Sequence, residues 1–88
     1  MRIIIGGERY RVRTGIPVSP RLRDAVREVE DPGTPYGLRV VAALVVLEHL
    51  LGVDAFTRLI DRLDDDNDPL DMEALIAAAR ELAAQPAN

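Results

Sequence analysis

The chain has no cysteine and no tryptophan, and although 11 of its 88 residues are basic, none is lysine. The missing cysteine excludes disulfides, thiolate metal sites and cysteine nucleophiles together, and it fits a reducing compartment. Aromatics are scarce: Tyr10, Tyr36 and Phe56 are all there are. Long apolar runs are missing too. The longest, Val40 to Leu47, falls far short of the ~20 residues that span a bilayer, and Ile3-Ile4-Ile5 is too short for a secretory signal core. A soluble, intracellular protein with no membrane partner is expected.

What is present is apolar surface in a small chain. Eighty-eight residues make one domain (residues 1–88), which buries only roughly 60–65% of its unfolded surface. Into this domain the chain packs Leu38–Leu51, 14 residues of which only Arg39, Glu48 and His49 are polar. Charge is polarised. Residues 1–39 carry 8 arginines against 5 acids, and residues 40–88 carry 3 against 10. The acidic total of −4 argues against a general nucleic-acid binder, while the N-terminal part is locally basic.

Residues 1–13 read as a β-hairpin. Gly6-Gly7 suits a two-residue turn whose central positions both need positive φ. That turn sets Ile5 opposite Glu8, Ile4 opposite Arg9 and Ile3 opposite Tyr10. One face then carries Met1, Ile3, Ile5, Tyr10 and Val12. The other carries Arg2, Arg9, Arg11 and Arg13, with Ile4 among them. Since a lone hairpin is marginal in water, the apolar face must pack on helices or on another chain's sheet.

The helical part spans residues 19–84. Ser19-Pro20 is a capped start, and Asp31-Pro32-Gly33 ends that helix. Thr34-Pro35 starts the second helix by the same logic, and Gly52 closes it. Valines over 40–47 favour a strand, but the length and the continuation to Leu51 favour a helix. Asp54 caps a third helix with Phe56, Leu59, Ile60 and Leu63 on one stripe, and Phe56 and Leu59 are assigned to the core. Asp71 caps a fourth, with Leu70 placed to staple onto Leu75, and Asp68 with Pro69 at the first helical position is the competing start. Residues 85–88 are expected to fray. The fold class is α+β: a hairpin followed by about four short helices.

On a helical wheel Val40, Ala43, Leu44, Leu47, Leu50 and Leu51 share one broad face, sufficient for a core. Leu38, Val41, Ala42, Val45 and Val46 fall opposite. A helix apolar all round is usually buried, so the second face is either covered within the chain or reserved for a partner. The candidate interface residues are Leu38, Val41, Val45 and Val46 on the helix, with Ile3, Ile5 and Tyr10 on the hairpin. Arg2, Arg9, Arg11 and Arg13 form a candidate basic face, for which a solvated sheet surface or pairing with an acidic partner is the simpler expectation.

The remaining features carry little chemistry. Asp64, Asp66 and Asp68 match positions 1, 3 and 5 of a calcium loop, but Pro69 stands where glycine is needed and Leu75 where a bidentate glutamate is needed. A solvated loop is the simpler reading. His49 has no nucleophile or carboxylate at motif spacing. Gly6-Gly7-Glu8-Arg9 fits neither a phosphate loop nor a dinucleotide fingerprint. No catalytic residue, cofactor or metal is expected.

The order of elements resembles a family. A hairpin and an apolar helix are followed by LLGVDAFTRLIDRL at 50–63, an acidic loop, and LDMEALIAAARELA at 70–83. This is similar to the small tail assembly chaperones of long-tailed bacteriophages, particularly those infecting GC-rich actinobacteria. The likeness covers residues 38–84 well and the hairpin loosely. It implies a non-enzymatic, oligomer-forming protein of the host cytoplasm. Such a protein would coat the tape measure protein, help recruit tail tube protein and be absent from the finished virion. The aromatic scarcity departs from the family pattern. The alternatives are a small regulatory or nucleic-acid-associated phage protein acting through the arginine face, and a structural head–tail or tail component.

Overall fold

A computed structural model describes residues 1–85. It contains a hairpin, β1 (Arg2–Ile5) and β2 (Glu8–Arg11), followed by α1 (Pro20–Glu30), α2 (Tyr36–Leu51), α3 (Val53–Asp64) and α4 (Met72–Ala83). This is the α+β architecture expected. The register is also as expected, with Arg2 opposite Arg11, Ile3 opposite Tyr10, Ile4 opposite Arg9 and Ile5 opposite Glu8. Gly6 and Gly7 have φ of 55° and 83°, a turn that glycine makes without steric cost. The radius of gyration is 12.3 Å, about that of a folded domain of this length.

Two helix starts follow the sequence signals. Leu22 N–H donates to the Ser19 hydroxyl at 3.1 Å, with proline in the first turn. Ala74 N–H donates to Asp71 Oδ1 at 2.9 Å. Two others differ. Thr34 does not cap α2: Pro35 holds the cap position, and among the described residues no side chain caps that end. Instead the Arg39 guanidinium reaches back, donating to Pro32 O at 3.0 Å and Thr34 O at 2.9 Å. Asp54 does not cap α3 either. Gly52, at φ 90°, both ends α2 and begins α3. One residue does both jobs, so no position is left for a capping side chain, and Asp54 lies in the first turn, where its charge suits the helix N-terminus. Of the expected frayed tail, residues 86–88 lie outside the described residues.

The core is continuous from hairpin to α4. Ile3, Ile5, Tyr10 and Val12 from the hairpin join Leu22 and Val29, Leu47 and Leu51, Leu59, and Leu75, Ile76 and Leu82. Both α1 and α4 pack along α2, and α3 packs against it as well. The hairpin's apolar face thus packs on helices of its own chain, with β1 alongside α4. Leu59 is fully buried, and Phe56 sits half-buried against the core.

The buried face of α2 is wider than the wheel suggests. Ala42 and Val46, placed on the outer side by sequence, are 3% and 0% exposed. Leu44 and Val40, placed in the core, are only half-buried. At about 100° per residue, the buried arc from Ala42 to Leu51 is turned roughly 50° from the expected centre. Neighbours on several sides of α2 explain this, and Ala42 and Ala43 let them approach closely.

Candidate functional site

Three features stand out: an outward stripe on α2, an arginine cluster holding the hairpin turn, and the outer face of the hairpin.

The α2 stripe is what remains after the core has taken its share. Leu38 and Val41 are 53% and 56% exposed. Val45, one turn on, is half-buried and packs against the core, and exposed Glu48 closes the stripe. At helical spacing these four share a sector of about 80°. The other candidate interface residues do not reach the surface. Val46, Ile3, Ile5 and Tyr10 are all buried within the chain. The hairpin residues are buried because helices of the same chain cover their face, and Val46 because the core arc extends over it. The expected interface narrows to Leu38 and Val41, flanked by Val45.

His49 points back along its own helix. Its Nδ1 lies 2.9 Å from Val45 O. A carbonyl only accepts, so that nitrogen carries the proton.

The second feature is Arg62, near the end of α3. Its side chain is 12% exposed. Nε donates to Asp68 Oδ2 at 2.8 Å and Nη2 to Asp68 Oδ1 at 3.1 Å, a bidentate pair. Nη1 donates to Ile5 O at 3.0 Å and to the Tyr10 hydroxyl at 2.9 Å. Nη2 also donates to Gly6 O at 2.7 Å, and Glu8 Oε2 lies 3.0 Å from Nη1. All five N–H donors of the guanidinium are thereby used. The cluster fastens the hairpin turn to the α3–α4 loop. It also fixes Gly6, where a Cβ would stand 2.7 Å from Arg62 Nη2 and 2.9 Å from Leu70 Cδ1.

Asp68 is therefore not the solvated loop residue that sequence suggested. Both its oxygens are taken by Arg62, and Oδ1 also accepts from Leu70 N–H at 2.9 Å. The Arg62 guanidinium, then the Leu70 N–H, hold its carboxyl below the usual range, and the hydrogen bonds that Arg62 donates to Asp68 raise the pKa of the guanidinium in turn. A calcium loop would need Asp68 free. Among the described residues no three His, Asp or Glu side chains are grouped to hold a metal ion.

The depressed Asp68 sets a pH dependence. Falling pH protonates the unfolded chain first, so the stabilisation from Asp68 is complete above about pH 4 and is lost below it, as pH drops through the native pKa. Asp68→Asn is expected to lower the urea midpoint near neutral pH. The gap from the wild type should narrow at about pH 3. A gap that stays constant with pH would show that the Asp68 charge does not stabilise the fold.

The third feature is the hairpin's outer face. Arg2, Arg9, Arg11 and Ile4 are exposed there. Among the described residues the guanidinium groups of Arg2, Arg9 and Arg11 enter neither ion pairs nor hydrogen bonds. Arg13 differs from them. Its backbone N–H donates to Leu50 O at 2.7 Å, and its Nη1 donates to His49 O at 3.3 Å. It ties the hairpin to the C-terminal end of α2, where a cation is favoured. The basic face reduces to three arginines.

No helix among the described residues is long and apolar enough to cross a membrane. Compared with models of protein families, with curated proteins and with solved structures, the chain shows no match.

Proposed function

We propose that the chain is a non-enzymatic binding protein that transiently covers apolar segments of a client through the α2 stripe. The observation that carries this is the outward exposure of Leu38 and Val41 on a helix whose remaining apolar residues are at least half-buried beyond its first residue, Tyr36. The resemblance to phage tail assembly chaperones names the client as the tape measure protein and the setting as the host cytoplasm, with tail tube protein recruited to the complex. The net charge of −4 suits a protein that keeps an apolar client in solution.

Co-expression tests the reading. A tape measure protein from the same tail gene cluster should be mostly insoluble alone. With this chain it should become soluble and co-purify. A client equally insoluble with and without the chain would count against the proposal. The stripe is also the surface through which copies would associate. Light scattering on a sizing column is expected to show oligomers at high concentration that Leu38→Glu/Val41→Glu dissociates. A wild-type monomer at every concentration would remove self-association.

A further inference from the structure

The hairpin leaves one strand edge open beside a groove. Val12 N–H donates to Met1 O at 2.9 Å. With the observed register, the hydrogen-bonded pairs are therefore Met1–Val12, Ile3–Tyr10 and Ile5–Glu8, while Ile4–Arg9 and Arg2–Arg11 are non-bonded. In a non-bonded antiparallel pair each residue turns its N–H and C=O away from the partner strand. Arg9 and Arg11 thus direct two donors and two acceptors outward from β2, and among the described residues the sheet has two strands. None of the backbone or side-chain bonds among the described residues answers these groups.

An open groove of ≈ 330 Å³ lies along that edge, between Glu8, Arg9 and Tyr10 of β2 and Arg58, Asp61 and Arg62 of α3. A strand edge on one side and a helix on the other is the arrangement that accepts an extended segment as an added strand. Two walls of this groove are held in place, because Arg62 and Tyr10 are bonded to each other at 2.9 Å.

Charge selects the occupant. The side chains of Arg9 and Arg11 stand on the outer face with Arg2. A second copy pairing through its own β2 edge would set arginine opposite arginine, which is destabilising across strands. A segment with carboxylates at alternate positions would set opposite charges there instead. Its intervening residues would turn toward Tyr10 and the groove, where Glu8 and Asp61 stand beside Arg58 and Arg62 and give no clear preference for a further acid, so β-branched residues suited to a strand fit there. We propose that the β2 edge binds an extended segment of a partner protein in which acidic residues alternate with β-branched ones. This surface is separate from the α2 stripe and does not rest on that reading.

The probe is the capped peptide Glu-Val-Glu-Val-Glu, titrated into the full chain and followed by backbone amide NMR. The largest shifts are expected at Arg9 and Arg11, with slowed hydrogen exchange at both amides. Arg9→Glu/Arg11→Glu should weaken binding by about tenfold or more, since two charge-assisted contacts are reversed. A peptide N-methylated at its glutamate amides, the ones opposite Arg9 and Arg11, keeps its charge but cannot form the ladder, and it should bind at least about tenfold more weakly to the unaltered chain. Equal binding of the methylated peptide would overturn the proposal by reducing the site to a diffuse basic face. So would a single-stranded DNA oligonucleotide that binds more tightly than the peptide at moderate salt and shifts the same arginines.

Discussion

Replacing Arg62 by alanine is expected to lower the unfolding free energy by about 3 kcal/mol, read as a fall in the urea midpoint. The lower end of the range for broken buried ion pairs applies because Arg62 and Asp68 retain 12% and 18% exposure and stay partly hydrated. The loss comes from the groups left behind: the Ile5 and Gly6 carbonyls, the Tyr10 hydroxyl and the Asp68 carboxylate. Glu8 adds little, being 62% exposed and screened. For a domain with a total of about 5–15 kcal/mol this is a large fraction. Arg62→Lys should recover only part of it, because an ammonium cannot reproduce the bidentate fork. An alanine variant with the wild-type midpoint would show that the hairpin is held by apolar packing alone.

A pair of substitutions on α2 should diverge more widely still. Val46 is fully buried and Val41 is 56% exposed, although the apolar pattern of the sequence puts both on one outer face. Val46→Glu places a carboxylate in the core with no partner, at a cost on the order of the whole folding free energy. Circular dichroism should show an unfolded or collapsed chain at room temperature. Val41→Glu adds charge at the surface and should change stability by less than about 0.5 kcal/mol. Cooperative melting by Val46→Glu near the wild-type temperature, or unfolding by Val41→Glu, would mean that α2 is turned differently from the arrangement described.

That contrast shows where sequence was and was not legible. The hairpin could be read because glycine pairing and period-two alternation are local signals that fix both register and face. The starts of α1 and α4 could be read because Ser19 and Asp71 cap the turns immediately following them. The phase of α2 could not, since a helix that is apolar all round gives its wheel no polar side to orient it. Burial was then decided by neighbours from distant parts of the chain. The Arg62 cluster was invisible for a related reason: its hairpin acceptors lie 52 to 57 residues away. Only the spacing to Asp68 is short, and the run of acids around Asp68 pointed instead to a calcium loop or a solvated one. Likewise the β2 edge emerges only when the ladder is combined with the position of α3. Arg13 lost its place in the basic face because the end of α2 arrives beside it.

Site-specific photo-crosslinking would decide whether the outward stripe of α2 contacts the client. A photoreactive amino acid would be placed at position 41 on the stripe, and separately at position 73 on an exposed side of α4. Each variant would be irradiated in cells that co-express the tape measure protein. A strong crosslink to the client is expected from position 41 and little from position 73. Equal crosslinking from both positions, or crosslinking from position 73 alone, would contradict it.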